Sequence, residues 1–242
     1  MPKNLSRFFF LTGLALLFVL ACNGADQLQP EPATLEQKII GGQVESGWLG
    51  VGALTFQGFG GHGGSYCTGV LIAPQWILTA AHCLTANKGI PMYPRTTRLY
   101  FGKDARASAN GGDPSSGTLV QADGFVIHPQ YSSTTVENDI GLVHLASLAS
   151  GIPIYSPNTS TMDYSYVGVT ALYVGFGVDN GTTETGSGIK RSAYIEIESV
   201  PSWDTIYTSQ YQESAICYGD SGGPGFLNVG GQDVIVGINS TV

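Results

Sequence analysis

The chain has 242 residues, 43% of them hydrophobic, which is enough to bury a sizeable core, as one unit or as two similar halves. Its 34 glycines, with frequent Ser, Thr and Tyr, favour short strands joined by tight turns over long helices, and the composition excludes a disordered or fibrous chain. Ten basic against 18 acidic residues give a net charge of -8, which argues against a nucleic-acid-binding surface.

At the N-terminus, Lys3 and Arg7 precede an apolar run from Phe8 to Ala21. That length is short for a bilayer span and right for a signal-peptide core, so residues 1–22 read as an export signal. The run ends in Val19-Leu20-Ala21-Cys22, which resembles a bacterial lipobox, where Cys22 would receive lipid and become the new N-terminus. An ordinary signal peptide that contains a cysteine is the other reading. Export permits disulfides. If Cys22 carries lipid, Cys67, Cys83 and Cys217 remain, and only two of them can pair.

Residues 23–38 are polar, proline-containing and aperiodic, as in a tether or propeptide, and the folded part should begin near Ile39. Beyond it, Val70-Leu71-Ile72, Trp76-Ile77-Leu78, Gly141-Leu142-Val143, Leu172-Tyr173-Val174 and Val234-Ile235-Val236 are short apolar runs bounded by turn-forming residues, which predicts strands. Tyr194-Ile195-Glu196-Ile197-Glu198 alternates as a strand with one wet face should. No stretch sustains a helical period. Residues 147–158, with Gly151, Pro153 and Pro157, suit a linker between two halves at about 39–150 and 155–242.

Ser221 sits in Gly219-Asp220-Ser221-Gly222-Gly223-Pro224, where glycines allow a sharp turn and close approach of a substrate. A serine hydroxyl needs a neighbouring base to become a nucleophile, and the chain has four histidines. His82 lies in Leu78-Thr79-Ala80-Ala81-His82-Cys83, directly after an apolar strand. With Trp76-Ile77 before it, this segment and the serine motif together resemble the trypsin/chymotrypsin family. Asn138-Asp139-Ile140-Gly141-Leu142 is similar to the family's aspartate segment, and the order His, Asp, Ser matches too. Singly, these residues read as a turn serine, a satisfied polar histidine and a cap. The three motifs in this order and spacing outweigh that. His128 and His144 read as structural, and His62 as a loop residue.

The resemblance implies an all-β fold of two six-stranded antiparallel β-barrels of the chymotrypsin type, with the site between them. His82 would be the general base, Asp139 its orienting partner and Ser221 the nucleophile, with the amides of Gly219 and Ser221 as the oxyanion hole. Lys38-Ile39-Ile40-Gly41-Gly42 resembles the family's activation junction: cleavage after Lys38 would free the Ile39 ammonium to pair with Asp220, making the chain a zymogen. Activation would also separate the enzyme from Cys22. Cys67 and Cys83, enclosing 15 residues, match the family disulfide beside the histidine, and Cys217 lacks its usual partner and should be a free thiol.

In the primary pocket, Ala215 stands where a trypsin-like enzyme has an aspartate, so a neutral rather than a basic side chain is expected in the substrate. Ile216 and Tyr218 would form its wall and rim. Ser240-Thr241-Val242 stands where the family carries Ser-Trp-Gly along the substrate backbone, and no counterpart of the last pocket loop, final strand or C-terminal helix follows, which leaves the second barrel incomplete. A fragment, a minimal form or a degenerate gene product would each give this pattern.

The functional expectation is a secreted or extracytoplasmic serine endopeptidase, with protein or peptide substrates, an activating protease of basic specificity and a lipid anchor before activation. The alternative is a catalytically inactive homologue that binds or regulates. No metal or organic cofactor is implied: the histidines and cysteines form no convincing ligand set beside the paired Cys67 and Cys83.

Overall fold

Apolar residues at every second position build strands with one buried face, and that pattern organises the computed structural model of the chain. It describes residues 39, 42–57, 63–87, 90–106, 116–180, 183–202, 205–208 and 215–241. The signal and tether segments, with Cys22 and Lys38, lie outside the described residues, as do Ile40, Gly41, His62 and Val242. In chain order the strands are β1 Gln43–Val44, β2 Val51–Gln57, β3 Gly63–Ala73, β4 Trp76–Thr79, β5 Ala86–Asn87, β6 Ile90–Pro91, β7 Thr97–Gly102 and β8 Gly117–Ile127. They continue as β9 Gly141–Leu145, β10 Ser156–Pro157, β11 Thr170–Gly175, β12 Arg191–Ser202, β13 Thr205–Thr208, β14 Pro224–Val229 and β15 Gln232–Ile238. A single helical turn, His82–Thr85, follows β4.

Strands β2, β3, β4, β9, β8 and β7, in that order, close an antiparallel barrel. Its register sets Leu78 of β4 between Val70 of β3 and Leu142 of β9, three residues from runs read as strands in the sequence. Leu54, Leu71, Ile77, Leu99, Val143 and Leu145 fill the interior. The second half is a sheet in the order β1, β12, β11, β14, β15, β10, with β13 paired to β12, and it is not closed among the described residues. The fold is thus nearly all-β, one closed six-stranded barrel beside an open sheet, as the resemblance implied. Residues 147–158 lead from the barrel to the sheet and include β10, which joins β15 in parallel through Ser156 and Val234, while β1 pairs with β12 of the sheet.

The outer face of the barrel is also apolar. Val51, Ala53, Val70 and Tyr100 pack against Leu172, Val174, Phe176 and Phe226, which welds the barrel to the sheet. On the sheet's other face, Ile39, Ala171, Tyr173, Ala193, Ile195 and Ile197 form a third cluster. In β12 the alternation is as expected: Ala193, Ile195 and Ile197 are buried while Tyr194, Glu196 and Glu198 face solvent. The chain segments that carry His82, Asp139 and Ser221 emerge beside the seam between the halves, after β4, between β8 and β9, and between β13 and β14.

Candidate active site

Buried β4 runs through buried Ala80 and Ala81 into the helical turn that presents His82. The His82 backbone N–H donates to Asp139 Oδ1 at 2.8 Å, and its ring Nδ1 lies 2.7 Å from Oδ2. An ionised carboxylate only accepts, so the bond assigns the proton to Nδ1 and leaves Nε2 as the ring's basic nitrogen. Ser240 Oγ donates to the same Oδ2 at 2.6 Å. The Asp139 side chain is 3% exposed and that of His82 30%. Burial pushes the Asp139 carboxyl upward, but the bonds from the His82 ring, the Ser240 hydroxyl and the His82 amide outweigh it and hold it below the ordinary aspartate range. Asn138 sets the direction of Asp139 with a φ of 53°, a left-handed conformation that asparagine tolerates, and its side-chain amide donates to the Gln130 carbonyl at 3.1 Å.

Ser221 lies in a tight turn with left-handed glycines on either side, Gly219 at φ 94° and Gly222 at φ 80°. A Cβ at Gly222 would collide with the Thr79 hydroxyl and the Thr68 carbonyl, so the close approach of the turn to the barrel demands glycine there. Gly222 N–H donates to Asn239 O at 2.7 Å and Gly223 N–H to Asp220 O at 2.8 Å. The N–H groups of Gly219 and Ser221 have no acceptor among the described residues. Ser221 Oγ donates to the Ser240 carbonyl at 3.3 Å. His82 Nε2 is 3.7 Å from Cys83 Sγ, which is itself 3.6 Å from the Ser221 carbonyl. A disulfide sulfur carries no proton, so these are packing contacts that hold the histidine and the serine turn against one another.

Cys67 and Cys83 are disulfide-bonded, as the resemblance implied. Their sulfurs and the His82 ring lie within 4.8 Å, but the two sulfurs are bonded to each other and cannot serve as thiolate ligands. Cys217 is the free cysteine among the described residues; it is buried, and burial raises its thiol pKa.

Asp220 is fully buried and accepts from Gly177 N–H at 2.8 Å and Cys217 N–H at 3.0 Å. Burial raises its carboxyl to about 7, against the opposing effects of those two amides and of the Arg191 guanidinium. Arg191 is held by the carbonyls of Gly177, Gly186 and Ile189 and by Asp179, at 2.8 Å. Ile39 is buried and bridges Ala215 in parallel. Ala215 is buried, Ile216 packs on the cluster that contains Ile39, and Tyr218 is exposed. Ser240 also donates its hydroxyl to Asp139, and its carbonyl accepts from the Ser221 hydroxyl. That role was missed in the sequence, where nothing local to Ser240 marks it. His144 pairs with Asp123 at 2.5 Å and meets the Trp76 ring edge, and the His128 ring accepts from the Gln130 amide.

The Trypsin family model matches residues 49–242. The chain is 28% identical over 170 residues to a chymotrypsin of Phaedon cochleariae, covering 65% of this chain and 58% of the relative. It is 26% identical over 247 aligned positions to serine protease SSP1 of Scolopendra subspinipes, covering 96% and 84%, and 29% identical over 176 to a trypsin of Squalus acanthias, covering 67% and 70%. These relatives come from animals and lend the bacterial reading no support. The family match over four fifths of the sequence, on a barrel and sheet that bring His82, Asp139 and Ser221 to one seam, establishes that the chain belongs to the trypsin family of serine endopeptidases.

Proposed function

We propose that the protein hydrolyses peptide bonds through an acyl-enzyme on Ser221, with His82 as general base and then acid, and Asp139 as the group that orients and stabilises its imidazolium. The observation that carries this is the doubly bonded Asp139–His82 pair packed against a serine turn whose Gly219 and Ser221 amides have no acceptor among the described residues. N–H groups without an acceptor of their own are what a developing oxyanion needs. Rotation of the Ser221 hydroxyl from the Ser240 carbonyl toward Nε2 completes the proton path, a bond that unliganded sites often hold loosely.

The neutral Ala215 supports a preference for uncharged side chains rather than Lys or Arg in the primary pocket, bordered by Ile216 and Tyr218. Such an enzyme would not cut its own Lys38 junction, so an activating protease of basic specificity acts there. The buried Asp220, whose carboxyl burial raises to about 7, and Ile39, buried and bridged to Ala215, support activation by the freed Ile39 ammonium. Export by residues 1–22, with Cys22 as a lipid anchor, completes the proposal; among the described residues no helix is long and apolar enough to cross a membrane.

A fluorophosphonate probe tests the chemistry. The chain cleaved after Lys38 should label rapidly, the uncleaved chain slowly, and Ser221→Ala not at all. Failure of the cleaved chain to label would instead identify a non-catalytic homologue. For the anchor, Lys38→Ala should keep the protein in the membrane fraction while the wild type is released. Wild-type protein that stays with membranes after cleavage would overturn that part.

A further inference from the structure

Thr68 stands in β3 next to Cys67 and is fully buried, and its backbone N–H and side-chain hydroxyl both reach the serine turn. Its backbone N–H donates to the Ser221 carbonyl at 2.8 Å. Its hydroxyl donates to the Gly219 carbonyl at 2.9 Å and accepts from the Phe176 N–H at 3.0 Å. Its own carbonyl accepts from the Thr79 hydroxyl at 2.7 Å. One side chain therefore ties together three pieces of the site. These are the barrel wall, the segment of Phe176 and Gly177 that supplies an amide to Asp220, and the turn that carries Gly219 and Ser221.

We propose that Thr68 is a positioning residue for the oxyanion amides, its hydroxyl fixing the Gly219 carbonyl and so the left-handed backbone that points the Gly219 N–H at substrate. Gly219 sits at φ 94°, where glycine is flexible and nothing in its own side chain restrains it. The preceding peptide plane, which carries the Gly219 N–H, is held where Val178 N–H donates to the Tyr218 carbonyl at 2.8 Å, and a Cβ on Gly219 would be 3.0 Å from the Gly177 Cα. The Thr68 hydroxyl restrains the plane that follows: it accepts from Phe176 N–H and donates to the Gly219 carbonyl. The planes on either side of the Gly219 Cα are then both held, the preceding one by Val178 and the following one from the barrel by Thr68, which together fix the φ and ψ of this glycine. A bond of this kind matters to the reaction because displacing an oxyanion amide by a fraction of an ångström costs the transition state more stabilisation than it costs the ground state.

The inference rests on the serine-protease reading above, and the experiment separates the two. Thr68→Val keeps the branched shape and removes the hydroxyl; Thr68→Ser keeps the hydroxyl and removes the methyl. Each full-length variant, cleaved after Lys38, is compared with wild type by its second-order rate of fluorophosphonate labelling and by kcat and KM on a peptide amide with an uncharged residue at the cleaved bond. Melting temperature is recorded in parallel. Thr68→Val should label and turn over about 10- to 100-fold more slowly, with KM within about threefold of wild type, and Thr68→Ser should stay within about threefold throughout. If wild type labels and Thr68→Val labels equally fast, the positioning role is overturned. A Thr68→Ser variant as slow as Thr68→Val overturns it too, since packing would then be the cause. Thr68→Val and Thr68→Ser with equal melting temperatures but unequal kcat support the role. If wild type itself does not label, the failure lies in the catalytic reading and not in Thr68.

Discussion

Ser240 shows how a residue acquires a role that its neighbours in sequence do not announce. Asp139 has a buried carboxylate with three donors, two from His82 and one from the Ser240 hydroxyl. A hydrogen bond to a charged group is worth about 1.5 to 3 kcal/mol, and a buried carboxylate that loses one is left partly unsatisfied. Because both His82 bonds survive, Ser240→Ala should weaken the hold on the imidazole without releasing it. The expected outcome is a kcat lowered by about tenfold with KM within about twofold, measured by steady-state kinetics on the cleaved protein. An unchanged kcat would mean that the two His82 bonds alone are enough. The left-handed Asn138 belongs to the same scale: its φ of 53° turns the Asp139 side chain inward, and the dipeptide Asn-Asp reads in sequence only as a cap or turn.

The elements were legible where periodicity was strong. The apolar runs at Val70, Ile77, Val143, Tyr173 and Ile235 all lie in strands, because a buried strand must be apolar and its ends must turn. The alternation in β12 was legible for the same reason, since one face packs on Ile39 and Ala171 while the other is wet. Pairing was less accessible. The two-residue parallel contact of β10 with β15 carries no period at all, and its residues Ser156 and Pro157 read as connector. Thr68 was passed over because a lone threonine in Cys67-Thr68-Gly69-Val70 fits a strand as well as it fits a clamp; only the fold brings Gly219 and Phe176 to its hydroxyl. The disulfide joins β3 to the helical turn of His82, and closing its 15-residue loop contributes about 3 kcal/mol while fixing that turn.

On the scale of the whole molecule, the decisive group is Asp220, whose environment ties stability to pH and, under the proposed activation, to cleavage after Lys38. Its carboxyl faces the amides of Gly177 and Cys217, the Cys217 thiol and, beyond Gly177, the Arg191 guanidinium, itself held by Asp179. Burial wins, so the folded chain holds a proton up to about pH 7 that the unfolded chain releases near the ordinary value of 3.8. Between those values the folded state binds more protons than the unfolded, and stability must fall as pH rises through the window, by on the order of 4 kcal/mol in all. In the uncleaved chain Asp220→Asn should remove that decline and raise the denaturation midpoint at pH 7.5 relative to wild type. Under the proposed activation, cleavage after Lys38 would supply an ammonium at Ile39, already buried beside Ala215, and a carboxylate paired with it would be favoured in its charged form. The sign then reverses: stability from Asp220 is present above the unfolded carboxyl value and is lost as pH falls, and Asp220→Asn should destabilise the cleaved protein at pH 7.5 and slow its fluorophosphonate labelling. Denaturant midpoints at pH 4.5 and 7.5 for both proteins, before and after cleavage, read all four cases. A substitution that destabilises the uncleaved chain at pH 7.5 would show that Arg191 and the two amides already neutralise Asp220, and that the Ile39 ammonium is not needed to order the serine turn.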